Sequence, residues 1–136
     1  MQNYTLVQDI KVICVQAKSF PEGIVEAHTS LHSLIPPDNN RRYFAISQRN
    51  QEGQTIYSAA AEELNEGEAE KFGCETYIIQ KGEYLSVLIN EYKKDIPNIA
   101  KTFKELLSDP RLDPKGACVE MFLSETDILC MVKLKD

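Results

Sequence analysis

One order of local signals occurs twice along this chain, and that repetition limits the folds open to it more than any other feature. In the first half, LVQDIKVICVQAKSF is rich in Val and Ile and reads as a strand. Pro21 then opens a stretch in which Ile24, Ala27, Leu31 and Leu34 recur at helical spacing until Pro36 and Pro37 stop it. RRYFAISQ and TIYSAAAEEL follow as two β-like runs joined through RNQEGQ, where Gly53 suits a hairpin. After the polar link NEGEAEKFG, the second half begins with CETYIIQKGEYLSVLIN, one long strand or two broken around Lys81 and Gly82. Ile96, Ile99, Phe103 and Leu106/Leu107 then form an apolar helical stripe that ends before Pro110, and ACVEMFL and ILCMVKL form a hairpin around SETD. Each half therefore reads β-α-β-β, with pseudo-repeats at about residues 5–66 and 73–135 of one domain spanning 1–136. IVEAHTSLHSLIPP lies over NIAKTFKELLSDP, and YFAIS over EMFLS. Alone, each half leaves a sheet face or edge uncovered; two halves joined about a pseudo-twofold resolve that and leave a groove between them.

At 136 residues the chain suits a single core. Its net charge of −6 argues against nucleic acid as a partner, because that affinity rests on a basic face. Arg41 with Arg42, and the looser set Lys93, Lys94, Lys101 and Lys104, read as solvated surface, whereas an acidic protein attracts cations. MQNYTLVQDIKV carries no signal-peptide pattern, and no apolar run approaches a membrane span, so the expected location is cytoplasmic, away from membranes. Cys14, Cys74, Cys118 and Cys130 stand far apart in apolar contexts and read as buried free thiols of a reducing compartment. His28 and His32 lie four apart but lack a third ligand, so neither a metal nor a cofactor is expected. No nucleophile elbow, phosphate loop or metalloprotease motif occurs.

The informative residue is Glu120, a carboxylate within the apolar run ACVEMFL, where desolvation calls for a partner or water. Alternation puts Cys118, Glu120 and Phe122 on one face and Val119, Met121 and Leu123 on the other. The overlay of the halves sets Glu120 level with Tyr43. If Phe44, Ile46, Val119, Met121 and Leu123 face the helices, then Tyr43, Glu120 and Phe122 line the groove. An acid among aromatic rings suits a flat apolar cation, with Tyr57, Tyr77 and Tyr84 extending the wall and Ala59 and Ala61 leaving room. Composition alone favours a blander arrangement, in which Glu120 pairs with an exposed lysine and the tyrosines are half-buried core.

RRYFAISQ, IYSAAAEEL, YIIQKGEYLSVLIN and VEMF, in this order, resemble the GyrI-like effector-binding family, the ligand domain also found at the carboxyl end of AraC-type and MerR-type bacterial transcription activators. The resemblance spans nearly the whole chain, although the motifs are short. It implies an α+β fold in which tandem β-α-β-β units form a curved antiparallel sheet, with two helices on one side and a ligand groove between the halves. In that family the motif glutamate binds the positive charge of lipophilic cations, and Glu120 is the matching position. Phe122 stands where a tyrosine is common, which removes a hydroxyl; Tyr43 and Tyr84 match the family's other aromatic positions more loosely.

The expected function is thus a stand-alone sensor or sequestering protein for apolar cations, with Glu120, Tyr43, Phe122, Tyr84 and Tyr57 lining the site and no room for a helix-turn-helix module. Two alternatives remain open. One is a hydrolase of an electrophilic small molecule, with Glu120 as base and Tyr43 polarising the leaving oxygen. The other is a protein-interaction inhibitor of the gyrase-inhibitor type, docking through the acidic run EELNEGEAE.

Overall fold

The computed structural model describes residues 1–136. Eight strands form one antiparallel sheet: β1 (Gln2–Leu6), β2 (Ile10–Gln16), β3 (Tyr43–Arg49), β4 (Thr55–Glu62), β5 (Glu75–Ile79), β6 (Gly82–Ile89), β7 (Cys118–Phe122) and β8 (Ile128–Lys133). Their spatial order is β1-β6-β8-β7-β3-β4-β2-β5. Helix α1 (Ile24–Leu34) follows β2, a one-turn α2 (Glu68–Lys71) precedes β5, and α3 (Pro97–Leu106) follows β6. The expected α+β architecture, two β-α-β-β units sharing a curved sheet, is what the chain adopts.

The run LVQDIKVICVQAKSF is broken rather than continuous. β1 ends at Leu6 and β2 starts at Ile10, and β5 and β6 are likewise separated at Lys81. The two breaks meet in space, where the Lys81 amide donates to the Asp9 carboxylate at 2.8 Å. β1 and β5 then cross over: β1 pairs with β6 of the second half, and β5 with β2 of the first. The halves join directly where β3 pairs with β7.

Both sheet faces are covered, which explains strands such as IKVICVQ that are apolar on both sides. On one face Val12, Phe44, Ile46, Ala60, Val119, Met121 and Met131 pack against Leu6, Ile10, Ile79 and Tyr84 from the outer strands. No helix residue enters this cluster, so the sheet curls round to bury its own concave side. The helices occupy the opposite face. α1 lays Ala27 and Leu31, with Ile35 beyond its end, on Ile13, Ala45, Ala59 and Ala61. The alanines let α1 approach closely, whereas α3 places Ile99, Phe103 and Leu106 on Leu85, Ile128, Cys130 and Val132. Sequence periodicity overreached at the helix ends: Leu34, Ile96 and Leu107 are exposed, and Ile35 and Leu106 fill the core positions.

The link NEGEAEKFG is more structured than its polarity suggests. Arg41, its side chain only 3% exposed, forms a two-pronged ion pair with Glu68, both Nη–Oε distances being 3.0 Å. The Glu68 carboxylate also accepts the Leu64 and Asn65 amides, and these bonds hold its carboxyl down at about 2. Glu62 pairs with Arg42 and Glu63 with Lys11, so much of the acidic run is engaged internally. No helix is long and apolar enough to cross a membrane.

Candidate functional site

The seam strands position the site. α1 sits over β2 and β4, and α3 over β6 and β8. The helix-side face of β3 and β7 lies between them. Residues paired across strands share a face, so the register places Tyr43 beside Phe122, Ala45 beside Glu120, and Ser47 beside Cys118 on that floor. Ala59 continues it beyond Ala45, and Cys130 beyond Glu120. Glu120 thus has small neighbours on both flanks. The alternation read from sequence is right, but the helices lie on the Glu120 side. Phe44, Ile46, Val119 and Met121 instead face the concave interior, because the curled sheet supplies its own cover there. Ala45, not Tyr43, stands level with Glu120.

Glu120 is 8% exposed. Burial pushes its carboxyl up to about 7, and neither a hydrogen bond nor a neighbouring charge contributes to the shift. Glu120 enters no ion pair, so the lysine partner of the blander arrangement is not there. Its carboxylate lies close enough to help raise the Tyr57 and Tyr92 hydroxyls and the Cys118 and Cys130 thiols, each already raised by burial.

Aromatic rings form an arc around this acid from one half to the other. Phe20 stacks on Tyr57 with centroids 5.7 Å apart, and Tyr57 meets His28 edge-on at 5.8 Å. His28 stands perpendicular to Phe122 at 5.5 Å, and Phe122 lies 6.0 Å from Tyr92. A 2.7 Å hydrogen bond between His28 Nε2 and the Tyr57 hydroxyl locks the centre of the arc. Burial lowers the His28 pKa, favouring the neutral ring.

The structure gathers Glu120, Phe122 and Tyr57 at this arc, with Tyr43 beside Phe122 in the strand register and its ring against His32, centroids 5.0 Å apart. It does not bring Tyr84 there. Tyr84 pairs with Tyr4 and Lys133 on the concave face and donates its hydroxyl to the Gln80 carbonyl at 2.6 Å. Tyr77 and Ala61 also part company: Tyr77 joins the concave cluster, and Ala61 lies under α1. Sequence reasoning missed Phe20, His28 and Tyr92. His28 had a signal, since it falls on the Ile24–Ala27–Leu31 stripe of α1. Tyr92 had none, because it reaches the groove from a single 3-10 turn, Tyr92–Lys94. His28 and His32 are both engaged with tyrosines, and no group of three or more His, Cys, Asp or Glu side chains gathers as a metal site.

No family model matches the chain, and no curated protein matches its sequence. Its fold does match solved structures. The integron cassette protein VCH_CASS2 from the mobile metagenome of Vibrio cholerae superposes with a TM-score of 0.75 at 7% identity, over 98% of this chain and 95% of the other. SAV2435, solved bound to tetraphenylphosphonium, gives 0.67 at 8% identity over 98% and 93%. A hydrolase from Listeria innocua gives 0.58 at 8% identity over 98% and 90%. At such identities the likeness is one of fold.

Proposed function

We propose that this chain is a small-molecule-binding protein of the GyrI-like kind, whose helix-side groove takes flat, apolar cations with Glu120 as counter-charge. The observation that carries this reading is a buried carboxyl without a partner, set among rings on a floor of small side chains. A neutral ligand would leave that acid protonated. A lipophilic cation would ionise it, gaining Coulombic attraction in a site from which its rings exclude water, and cation–π attraction from Tyr57, Phe122 and Tyr92. The fold shared with a protein solved around tetraphenylphosphonium supports the same choice.

The test is a thermal-shift series with tetraphenylphosphonium and neutral triphenylphosphine oxide, on wild type and Glu120→Gln. A ligand at 100 times its Kd adds about 2.7 kcal/mol of stability. The cation should stabilise wild type well beyond the neutral compound, and Glu120→Gln should lose most of that difference. Equal shifts in both proteins would remove Glu120 from the site.

One observation favours hydrolysis as the second reading: a carboxyl near 7 is matched to general-base work at neutral pH. Tyr57, held by His28, would then be the hydroxyl that polarises a leaving oxygen, in place of Tyr43, whose ring lies against His32. Under this reading Glu120→Gln abolishes turnover of an electrophilic substrate, and Tyr57→Phe lowers it.

A further inference from the structure

The concave face carries a recess of about 210 Å³, walled by Tyr77, Ile79, Tyr84, Ala117 and Val119, with Lys133 among its lining groups. It lies on the opposite side of the sheet from Glu120, since Val119 and Glu120 are adjacent in β7 and point to opposite faces. The strand registers show why the space exists. Ala45 and Glu120 face each other across the seam, and Ala59 and Cys130 are their outer neighbours. Three positions before that seam pair stand Arg42 and Ala117, and three positions after Ala59 and Cys130 stand Glu62 and Lys133.

At the corresponding positions of the first half, the half-exposed Arg42 guanidinium is fixed by two bonds to Glu62, Nε–Oε1 at 3.0 Å and Nη2–Oε2 at 2.7 Å. In the second half the arginine is cut back to Ala117 and the acid is replaced by Lys133. A small side chain thus stands where the first half has a long one, and the charge beside it is of opposite sign. Lys133 keeps only 7% of its side chain exposed, with Nζ bonded at 3.0 Å to the Leu134 carbonyl and at 3.0 Å to the Asp136 carboxylate. Asp136 is 96% exposed, so solvent reaches the carboxylate that neutralises this ammonium. Gly82 makes room for it, because a Cβ there would come within 2.8 Å of Lys133 Cε and Nζ. Of the other charges on the recess, Lys115 lies at the surface, and the Asp113 carboxylate accepts the Lys115 amide at 2.9 Å.

We propose that this recess is a second ligand site, independent of the Glu120 groove, for a small organic acid with a single ring or short apolar chain. Its carboxylate takes the place of Asp136 on Lys133 Nζ, and its apolar body lies against Tyr77, Tyr84 and Val119. The dimensions suit a molecule the size of benzoate, and the exposed Asp136 is a displaceable stand-in for its carboxylate.

Methyl NMR of the full chain titrated with benzoate or neutral benzamide tests this. Benzoate at millimolar concentration should shift the Ala117 and Val119 methyls, on the recess, and leave Ala45 and Ala59, on the groove floor. Lys133→Met should weaken the effect about tenfold or more. Ala117→Leu, which fills the recess and keeps the ammonium, should abolish it, so the proposal stays testable if the lysine variant does not fold. Absent shifts, equal shifts with benzamide, or undiminished binding in a folded variant would each overturn it.

Discussion

Replacing Glu120 by glutamine should stabilise the free protein, and by an amount that depends on pH in a direction opposite to that of an ordinary carboxylate. Burial moves the carboxyl from 4.5 to about 7 in the folded state. Below the lower value the group is protonated in folded and unfolded chains alike, and it adds no pH dependence. Between the two, the unfolded chain releases its proton and the folded chain keeps it, so stability falls as pH rises. Above about 7 the loss is complete. At 1.36 kcal/mol for each tenfold in proton affinity, it amounts to about 3 kcal/mol. Glutamine keeps the shape and cannot ionise. Urea unfolding of both proteins from about pH 4 to about pH 9 should show the stability difference growing by about 3 kcal/mol in favour of the variant, mostly between the two pKa values. A cation bound in the groove should reverse the sign: it favours the carboxylate, so binding releases a proton near neutrality and affinity rises with pH up to about 7. Parallel stability profiles for the two proteins would refute the reasoning, because they would mean that Glu120 is as well solvated in the folded state as in the unfolded one.

Three further changes probe the frame that holds the groove. Glu68→Gln breaks a buried guanidinium pair and should cost about 3 kcal/mol in chemical denaturation, since it leaves Arg41 buried without its counter-charge. In the wild type this pair works in the usual direction: its contribution is present above the unfolded carboxyl pKa and is lost as pH falls towards about 2. Phe44→Ala removes a fully buried ring from the concave core and should cost about 3 to 5 kcal/mol by the same assay. Ala45→Leu extends a side chain from the groove floor beside Glu120; it should weaken tetraphenylphosphonium binding in the thermal-shift assay while leaving benzoate shifts at Ala117 unchanged.

The element order was legible because strong punctuation, Pro21, Pro36, Pro37, Gly53, Gly82 and Pro110, separates segments of clear period. The face assignment was not. β2, β3 and β7 bury both sides, so no polar face marks the outside, and which side meets a helix depends on how the sheet curls. Glu120 could be singled out because a lone acid in an apolar strand is costly wherever the strand turns. Its neighbours are another matter. Tyr84 looked equivalent to Tyr57 in sequence, but one strand position decides the face, and β6 starts at Gly82 in the register that sends Tyr84 inward. Phe20 and Tyr92 enter from irregular segments that carry no period to read.

The exchange of β1 and β5 between the halves sets the order in which the chain can be completed. Tyr4 finds its strand partner in Tyr84, and Val12 finds one of its two in Tyr77. A nascent chain that has just finished the first β-α-β-β unit therefore still has an open edge on β2 and a first strand with nowhere to lie. Neither the groove nor the recess behind it exists until the second unit has emerged and closed both edges. Contacts so distant in sequence slow folding and tie the halves to one transition, so the two sites should appear and disappear together when the protein folds and unfolds.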